Sequence, residues 1–559
     1  MSVEKESPEP PSVVGLPPDE TVTSKHRWWA LAAVALGVSL IIMDATVVNV
    51  ALPVIIEDLH LSATQAEWMN AVYSLMFAAL LLTLGKIGDL YGRRKLYVVG
   101  MVIFVIASVV AGFSATGNAL IAARLVQGVG AAMILPASLS TVNAMFKGKE
   151  RAIAFAVWGS TIGGMAAVGP LVGGWLTTDY SWRWAFWINV PVGILVVVGL
   201  LAFVPETRDT KTARGLDISG VIMSALGLGA IVFALIEGQK YGWGRQESGA
   251  ISPVPIAMAV GLILMAAFVH SQQSRMKSGR TVLVDLGLLG VRSFRYGSIA
   301  ALVVALGEFG LLFTLPLLLQ NALGFSPLGT GWMIVSLAVG TFLVSAATPQ
   351  LTARYGGRAV VRLGLAFEAV AVAGLAITLS ASISGWLIAA WLFGYGLGVG
   401  MATAQLTSVI LAEIPVAESG QASGLQSTFR QLGSALGVAI LGTLLITSLG
   451  KATDKNLADA GVPSAVAAPV SEAVQQSAGS AIPSLQAKPA TQTAGDAAAA
   501  AMISASKVTT GVASVIIALG LLATIALPKL PVNPPEPTPE GSNTGGASSG
   551  AGTRREQEA

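Results

Sequence analysis

The stretch Gly85-Lys86-Ile87-Gly88-Asp89-Leu90-Tyr91-Gly92-Arg93-Arg94-Lys95 is a short basic turn between two long apolar runs. Glycines at both ends permit a tight bend and close approach of two helices, and Asp89 is spaced to pair with Arg93 or Arg94 near a helix N-terminus. By its basic residues alone the segment is a plain turn with snorkelling cations. Its flanks say more, because the same alternation of apolar run and charged turn continues along the chain.

Each run holds roughly 18 to 25 apolar residues, enough to cross about 30 Å of hydrocarbon. The first six lie near Trp28–Leu52, Trp68–Leu84, Leu96–Ala115, Ala119–Leu139, Ile153–Leu176 and Trp184–Phe203. Two more lie near Leu216–Ile236 and Pro253–His270 and lead into an amphipathic connection, Asp285 to Arg295. The last six lie near Tyr296–Leu319, Gly329–Pro349, Ala359–Leu379, Gly385–Leu406, Gly424–Leu449 and Val508–Leu527. The expectation is an all-α integral membrane protein with 14 transmembrane helices, divided six, two and six. Composition agrees, with 53% hydrophobic and 11% charged residues and a mean hydropathy of +0.71. A soluble domain carries about 25% charge, so the missing polar surface is surface that faces lipid.

Charge placement orients the chain, since Lys and Arg concentrate in short cytoplasmic loops. Alternate loops hold Lys86, Arg93, Arg94 and Lys95; Lys147, Lys149 and Arg151; Arg208, Lys211 and Arg214; Arg275, Lys277, Arg280, Arg292 and Arg295; then Arg354, Arg358 and Arg362. The short loops between them hold only Arg183, Lys240 and Arg245. Both termini are therefore expected in the cytoplasm of a cell with this multi-pass protein in its plasma or inner membrane. The first run is too long for a signal-peptide core and lacks a cleavage site, so it reads as a retained helix. The domain reading is a disordered cytoplasmic segment at 1–27, a six-helix bundle at 28–204, two inserted helices with their connection at 205–295, a second bundle at 296–528, and a disordered tail at 529–559. The Ala-, Ser- and Pro-rich outer loop 450–506 reads as a mobile insertion in preference to short helices.

Several chemistries are excluded. A net charge of +3 with its cations dispersed between apolar runs does not suit nucleic acid. Without cysteine there is no disulfide, thiolate nucleophile or thiolate metal site. No GxxxxGK[ST] occurs, and Gly394, Gly396, Gly398 and Gly400 follow no strand, so no nucleotide loop is present. His26, His60 and His270 have no metal spacing. No cofactor, metal or enzyme activity is expected, and an ion gradient is the remaining energy source.

Further motifs lie inside the helices. The fourth carries Arg124-Leu125-Val126-Gln127-Gly128-Val129-Gly130, and the fifth carries Gly159, Gly163, Gly164, Gly169-Pro170, Gly173 and Gly174. By itself the glycine series is ordinary close packing of membrane helices. Met43-Asp44-Ala45-Thr46-Val47-Val48-Asn49-Val50-Ala51-Leu52-Pro53, Trp182-Arg183-Trp184-Ala185-Phe186-Trp187-Ile188-Asn189-Val190-Pro191 and Arg430-Gln431-Leu432-Gly433-Ser434-Ala435-Leu436-Gly437 complete the set. With the turn at 85–95, this pattern resembles the major facilitator superfamily, and within it the fourteen-helix drug/proton antiporters of the EmrB/QacA type. The resemblance covers about Trp28 to Leu449 plus the last helix. It implies two six-helix bundles plus two extra central helices, with Gly85, Asp89, Gly92, Arg93 and Arg94 as a gating latch. Gly159, Gly163, Gly169, Pro170, Gly173 and Gly174 would mark an exporter. Tyr355-Gly356-Gly357-Arg358 echoes the latch without its Asp, as in a duplicated half that has lost part of the device.

The implied function is proton-coupled multidrug efflux: alternating access in a monomer, taking a lipophilic, cationic, drug-like small molecule from the membrane or cytoplasm in exchange for protons. The alternatives are a dedicated exporter of one endogenous metabolite or lipid, and a non-transporting receptor or scaffold on the same fold. Inside the bilayer an ionisable group costs at least about 2.5 to 3.5 kcal/mol and needs a partner, water or a function. At about 1.5 Å per residue, Asp44 and Arg124 lie at comparable depth, and the family fold places the first and fourth helices together. Asp44 is then the expected proton carrier, kept ionised by Arg124 when close and free to protonate when apart; the alternative is a permanent structural pair. Glu308, near the midplane of the ninth helix, is the candidate contact for a cationic substrate or a second proton site. Tyr73, Phe309, Phe313 and Trp332 are candidates to line an apolar pocket with Glu308 and Asp44, although Trp near helix ends often belongs to the interfacial belt. Glu368 and Arg430 are expected to snorkel, or in the former case to stay protonated.

Overall fold

With no water in hydrocarbon to satisfy backbone N–H and C=O groups, each apolar run must close its own hydrogen bonds as a helix. The computed structural model describes residues 24–146, 148–208, 215–244, 251–414 and 419–527. The terminal segments expected to be disordered, most of 1–27 and all of 529–559, lie outside the described residues, as do Lys147, Lys211, Arg214 and Arg245. The first bundle comprises α1 (Ser24–Leu59), α2 (Ala63–Tyr91), α3 (Arg93–Gly112), α4 (Gly117–Met145), α5 (Gly148–Asp179) and α6 (Trp184–Phe203, interrupted at the single residue Ile188). The inserted pair is α7 (Ile218–Tyr241) and α8 (Pro253–Lys277). The second bundle comprises α9 (Arg292–Asn321), α10 (Pro327–Tyr355), α11 (Gly357–Thr378), α12 (Gly385–Leu411) and α13 (Ser419–Asp459). After two short helices, α14 (Ser464–Gln476) and α15 (Ile482–Gln486), α16 (Gln492–Ala523) completes it. Among the described residues 13 helices are long and apolar enough to cross a membrane, and α5 is a further helix of 32 residues.

The start of α2 shows how local sequence sets a boundary. Ser62 Oγ accepts from Gln65 N at 3.2 Å, while Gln65 Oε1 accepts from Ser62 N at 3.0 Å, the reciprocal capping box. This fixes the first turn at Ala63, so Glu67 lies inside the helix and is fully buried. At the other end of α2, Asp89 pairs with Arg93 at 2.8 Å. Glu206, just beyond α6, accepts from Arg94 N at 3.0 Å and Lys95 N at 3.2 Å and so caps α3. Gly92 turns between them with φ +121°, and a Cβ there would stand 2.6 Å from Glu206 Oε1, so no other residue fits. We call this the basic end of the molecule.

The inserted pair is fastened at the same end. The Asp217 carboxylate accepts from Gly220 N at 2.9 Å, Ser219 Oγ at 2.8 Å and Gln272 Nε2 at 2.6 Å, and Arg275 lies 3.4 Å away. Burial works to raise its pKa, and the hydrogen bonds with the Arg275 charge outweigh burial and hold it below the usual carboxylate range. Its stabilisation is therefore full above that range and is lost as pH falls through the depressed value. Toward the opposite end, α7 reaches the seam where α2 meets α13: Trp68 Nε1 donates to Glu237 Oε1 at 3.0 Å, and Thr443 Oγ1 lies 3.0 Å from the Leu235 carbonyl.

That opposite end carries a cap. α13 runs for 41 residues, well past the hydrocarbon, and α14, α15 and the first turns of α16 fold over it. Val474, Ile482, Ala498 and Met502 are fully buried there, and Asn321 Nδ2 donates to Ala478 O at 3.4 Å. The mobile insertion expected over 450–506 is thus a helical layer. Alanine, which makes the segment look like a linker, is also the best helix former, and Val470 and Val474 place one apolar face against the bundle.

The described hydrogen bonds that join the two bundles run from mid-membrane to the cap end. Ser74 Oγ meets Ser434 Oγ at 3.1 Å, Gln320 Nε2 donates to Val50 O at 2.8 Å, and Leu328 N donates to Thr178 Oγ1 at 3.1 Å. Small residues allow this closure. A Cβ on Gly174 would lie 2.6 Å from Pro327 O, and one on Gly331 would lie 2.5 Å from Pro170 O. Gly169 and Gly173 instead pack against Thr46 and Val47 of α1, whereas Gly159 and Gly163 lie outside the residues whose packing is described. The protein is closed at the cap end. Because the chain has no cysteine, Thr178→Cys with Leu328→Cys should cross-link on mild oxidation without background. Adding Gly174→Leu should suppress the cross-link several-fold, read as band shift on a gel; undiminished cross-linking in the triple variant would contradict the closure described.

Candidate functional site

Five helices of the first bundle converge on Asp44. Its Oδ2 takes a short ion pair from Arg124 Nη1, and its Oδ1 accepts from Asn189 Nδ2 at 2.7 Å and Gln127 Nε2 at 3.2 Å. Arg124 and Gln127 are three residues apart on α4 and so share a face, and Arg124 Nη1 also donates to Gln127 Oε1 at 3.0 Å. Asn189 resumes α6 after its break. Ser108 of α3 accepts from Gln127 Nε2 at 2.8 Å and Asn189 Nδ2 at 3.2 Å. From α2, Met69 O accepts from Arg124 Nε at 3.4 Å, and the Tyr73 ring lies 4.3 Å beneath the guanidinium. Asp44, Gln127, Asn189 and Ser108 are 0% exposed and Arg124 1%. Taking two charges out of water costs several kcal/mol each, which their attraction offsets only when every remaining lone pair and proton is satisfied. The surrounding amides and carbonyl supply partners to both Asp44 oxygens and to Arg124 Nε and Nη1, while Asn189 Oδ1 and the Tyr73 hydroxyl have none among the described residues.

The second bundle holds its ionisable groups more loosely. Glu308 of α9 faces Arg430 of α13 at 3.7 Å. They share a narrow pocket with Thr403 and Thr407 of α12 and Gln426 of α13, whose Nε2 donates to Thr407 Oγ1 at 2.7 Å. Arg430 thus has a partner within the bundle and is not simply snorkelling. Glu368 is fully buried where α11 crosses α12 at Gly398, which rules out snorkelling there too. Neither of its carboxyl oxygens has a hydrogen-bond partner among the described residues, nor has the hydroxyl of buried Tyr395.

Asp44 and Arg124, expected to meet, do meet. Asp44 and Glu308 do not, since each belongs to its own bundle. The four aromatic candidates are dispersed: Tyr73 supports Arg124, Phe313 is fully buried in the core, Phe309 is half-buried, and Trp332 is 57% exposed near the cap end of α10. None of the four lines the pocket beside Glu308. The sequence reading assigned no role to Gln127, Asn189, Ser108 or Glu67. The i to i+3 spacing from Arg124 signals Gln127, and the Ser62-x-x-Gln65 box signals that Glu67 lies within a helix.

The chain matches the Major Facilitator Superfamily profile over residues 34–438. It belongs to the major facilitator superfamily. Within the superfamily it is 36% identical to a puromycin resistance protein of Streptomyces alboniger, across 78% of this chain and 84% of that protein. It is 33% identical to a probable actinorhodin transporter of Streptomyces coelicolor, across 82% and 81% of the two chains. It is also 33% identical to a multidrug efflux pump of Mycolicibacterium smegmatis, across 76% and 82%. Solved structures share the superfamily fold at low identity. A bacterial homologue of the lysosomal transporter Spinster, inward-facing and unoccupied, superposes with a TM-score of 0.58 at 19% identity over 90% of this chain and 98% of that one. A human organic anion transporter gives 0.56 at 14% identity over 89% and 99%.

Arg124→Leu leaves the Asp44 carboxylate buried without its cation and should destabilise the detergent-purified protein by about 3–5 kcal/mol, whereas adding Asp44→Asn should recover much of that loss. Thermal unfolding of the single and double variants measures the difference, and an unshifted midpoint in Arg124→Leu would contradict a tightly paired site.

Proposed function

We propose that the protein is a proton-driven exporter of lipophilic, cationic small molecules, with its basic end in the cytoplasm and its capped end outside. The Asp44 cluster carries this reading: a carboxyl group, buried and held by one cation and two amides, in a molecule closed at the cap end. That arrangement supports a carrier that releases its proton toward the basic end. When the bundles rock to open the cap end, any displacement of α2 or α4 loosens Arg124 from Asp44, and a carboxyl without its counter-charge takes up a proton. Proton binding neutralises Asp44, favours the return, and completes the exchange of one gradient for another.

The Glu308–Arg430 pocket supports the substrate half of the cycle. Its ion pair is open at 3.7 Å and partly exposed, so an organic cation competes with Arg430 for the carboxylate at modest cost. The positive-inside pattern supports the orientation, and relatives named for efflux or for antibiotic resistance support export. A second reading, a dedicated exporter of one compound, is favoured by relatives named for actinorhodin and puromycin. Export assays with a panel of drugs separate it from broad efflux.

In proteoliposomes with an imposed pH gradient, Asp44→Asn should abolish gradient-driven dye export while the variant still inserts and exchanges dye; full coupled export would remove Asp44 from the proton path. Glu308→Gln should slow export of a cationic dye about tenfold, the equivalent of about 1.4 kcal/mol, and leave a neutral dye nearly unaffected. Equal effects on both dyes would show that Glu308 does not contact the cation.

A further inference from the structure

The basic end of the second bundle carries charge that the protein does not neutralise. In both bundles the second helix ends on a Tyr-Gly pair, Tyr91-Gly92 after α2 and Tyr355-Gly356 after α10, and each glycine has positive φ, +121° and +81°. Arg358 therefore stands in its bundle where Arg94 stands in the first. Arg94 meets the end of α6 through the Val204 carbonyl at 3.1 Å and the Glu206 carboxylate at 3.9 Å. Arg358 likewise meets the end of α16, and there it finds carbonyls alone. Its Nη2 donates to Ile525 O at 2.6 Å, Arg362 Nη2 donates to Thr524 O at 3.2 Å, and Arg292 Nε of α9 donates to Ala526 O at 2.9 Å.

Three cations thus converge on three successive carbonyls. The C-terminal end of a helix carries the equivalent of about half a negative charge, so capping of α16 leaves most of the positive charge uncompensated. Elsewhere at the basic end Arg27, Arg93, Arg94 and Arg275 each face a carboxylate. Among the described residues Arg292, Arg358 and Arg362 form no ion pair, and the carboxylates on the segments flanking α9 are engaged: Glu413 accepts from Ser293 N at 3.0 Å and Asp285 from Gly287 N at 2.8 Å. A guanidinium carries five N–H donors, and the buried Nε of both Arg358 and Arg362 has no acceptor among the described residues. Arg292 and Arg362 also lie near enough to repel Arg358. The neighbouring surface is apolar. α11 and α16 pack side by side, with Ser514 Oγ donating to Ala369 O at 2.8 Å, and Leu363, Phe367 and Val370 of α11 and Leu519 and Leu522 of α16 are exposed. Spacings of three and four residues make each set a stripe along its helix.

We propose that Arg292, Arg358 and Arg362 form a binding site for the phosphate of an anionic phospholipid in the leaflet at the basic end, its acyl chains lying along the exposed stripes of α11 and α16. A phosphodiester supplies both the missing negative charge and acceptors for the free donors, and arginine forks match its oxygens. The apolar stripes favour a lipid over a free phosphate ion. Because the leaflet is defined by the basic end, the site does not depend on the transport reading or on its direction.

Native mass spectrometry of the full chain, released from a detergent with a neutral headgroup and titrated with dioleoyl phosphatidylglycerol, counts bound lipids. The unmodified protein should take its first lipid about tenfold more tightly than later ones, and dioleoyl phosphatidylcholine should not compete for that place. Arg358→Gln with Arg362→Gln should abolish the tight event, while Lys277→Gln, which removes an exposed cation at the same end, should leave it unchanged. If the double variant does not fold, Arg292→Gln decides, with an expected loss of several-fold. Tight binding kept in the arginine variants, or weakened equally by Lys277→Gln, overturns the site. Displacement of the lipid by millimolar inorganic phosphate would make the ligand a free anion. A tight lipid absent from the unmodified chain but present in Glu536→Gln with Glu540→Gln would give the arginines to the chain's own carboxylates. Either result also overturns the lipid assignment.

Discussion

A charge pair sealed inside hydrocarbon is the constraint around which the first bundle is organised. Burial of Asp44 and Arg124 is offset by partners from α2, α4 and α6, and Ser108 of α3 in turn holds the Gln127 and Asn189 amides. The position of Asn189 just after Ile188, the spacing of Arg124 and Gln127, and the buried ring face that Tyr73 turns to the guanidinium all serve that one requirement. Because the site depends on so many helices, it cannot distort gradually. It is either assembled or disrupted.

The second bundle is built on different terms. Its ion pair, Glu308 with Arg430, is longer and partly exposed, and it borders a narrow pocket of threonine and glutamine side chains. A closely packed ion pair thus stands in one bundle and a looser one in the other. The glycines of α5 and the small residues along α13 then let the halves touch closely at the cap end, where the structure is closed.

The crossings were legible because hydrocarbon thickness imposes a local length on every run, and the meeting of Asp44 with Arg124 was legible because helical rise converts sequence position into depth. Rotation about the helix axis is not encoded so simply. Gln127, Asn189 and Ser108 were passed over because nothing local says that their faces converge. Phe313 and Trp332 were grouped with the site because aromatic character does not tell core from lipid surface. Glu67 was overlooked because the second apolar run starts at Trp68 by hydropathy but at Ala63 by capping. Residues 450–506 were misjudged because alanine-rich sequence looks like a linker until a bundle is present to bury Val474 and Met502. Snorkelling is an available reading of Arg430, and snorkelling or protonation of Glu368, because the residues around them lie on other helices; burial removes only the snorkelling alternative for Glu368.

In the proposed exchange the Asp44 carboxyl gives up a proton for the Arg124 pairing as the carrier takes up its cargo. Proton release from the purified protein in weakly buffered solution, on addition of a lipophilic cation, reads that step. The medium should acidify with the unmodified protein, and Asp44→Asn, while still binding the cation, should release no proton; equal release from both would remove Asp44 from the exchange.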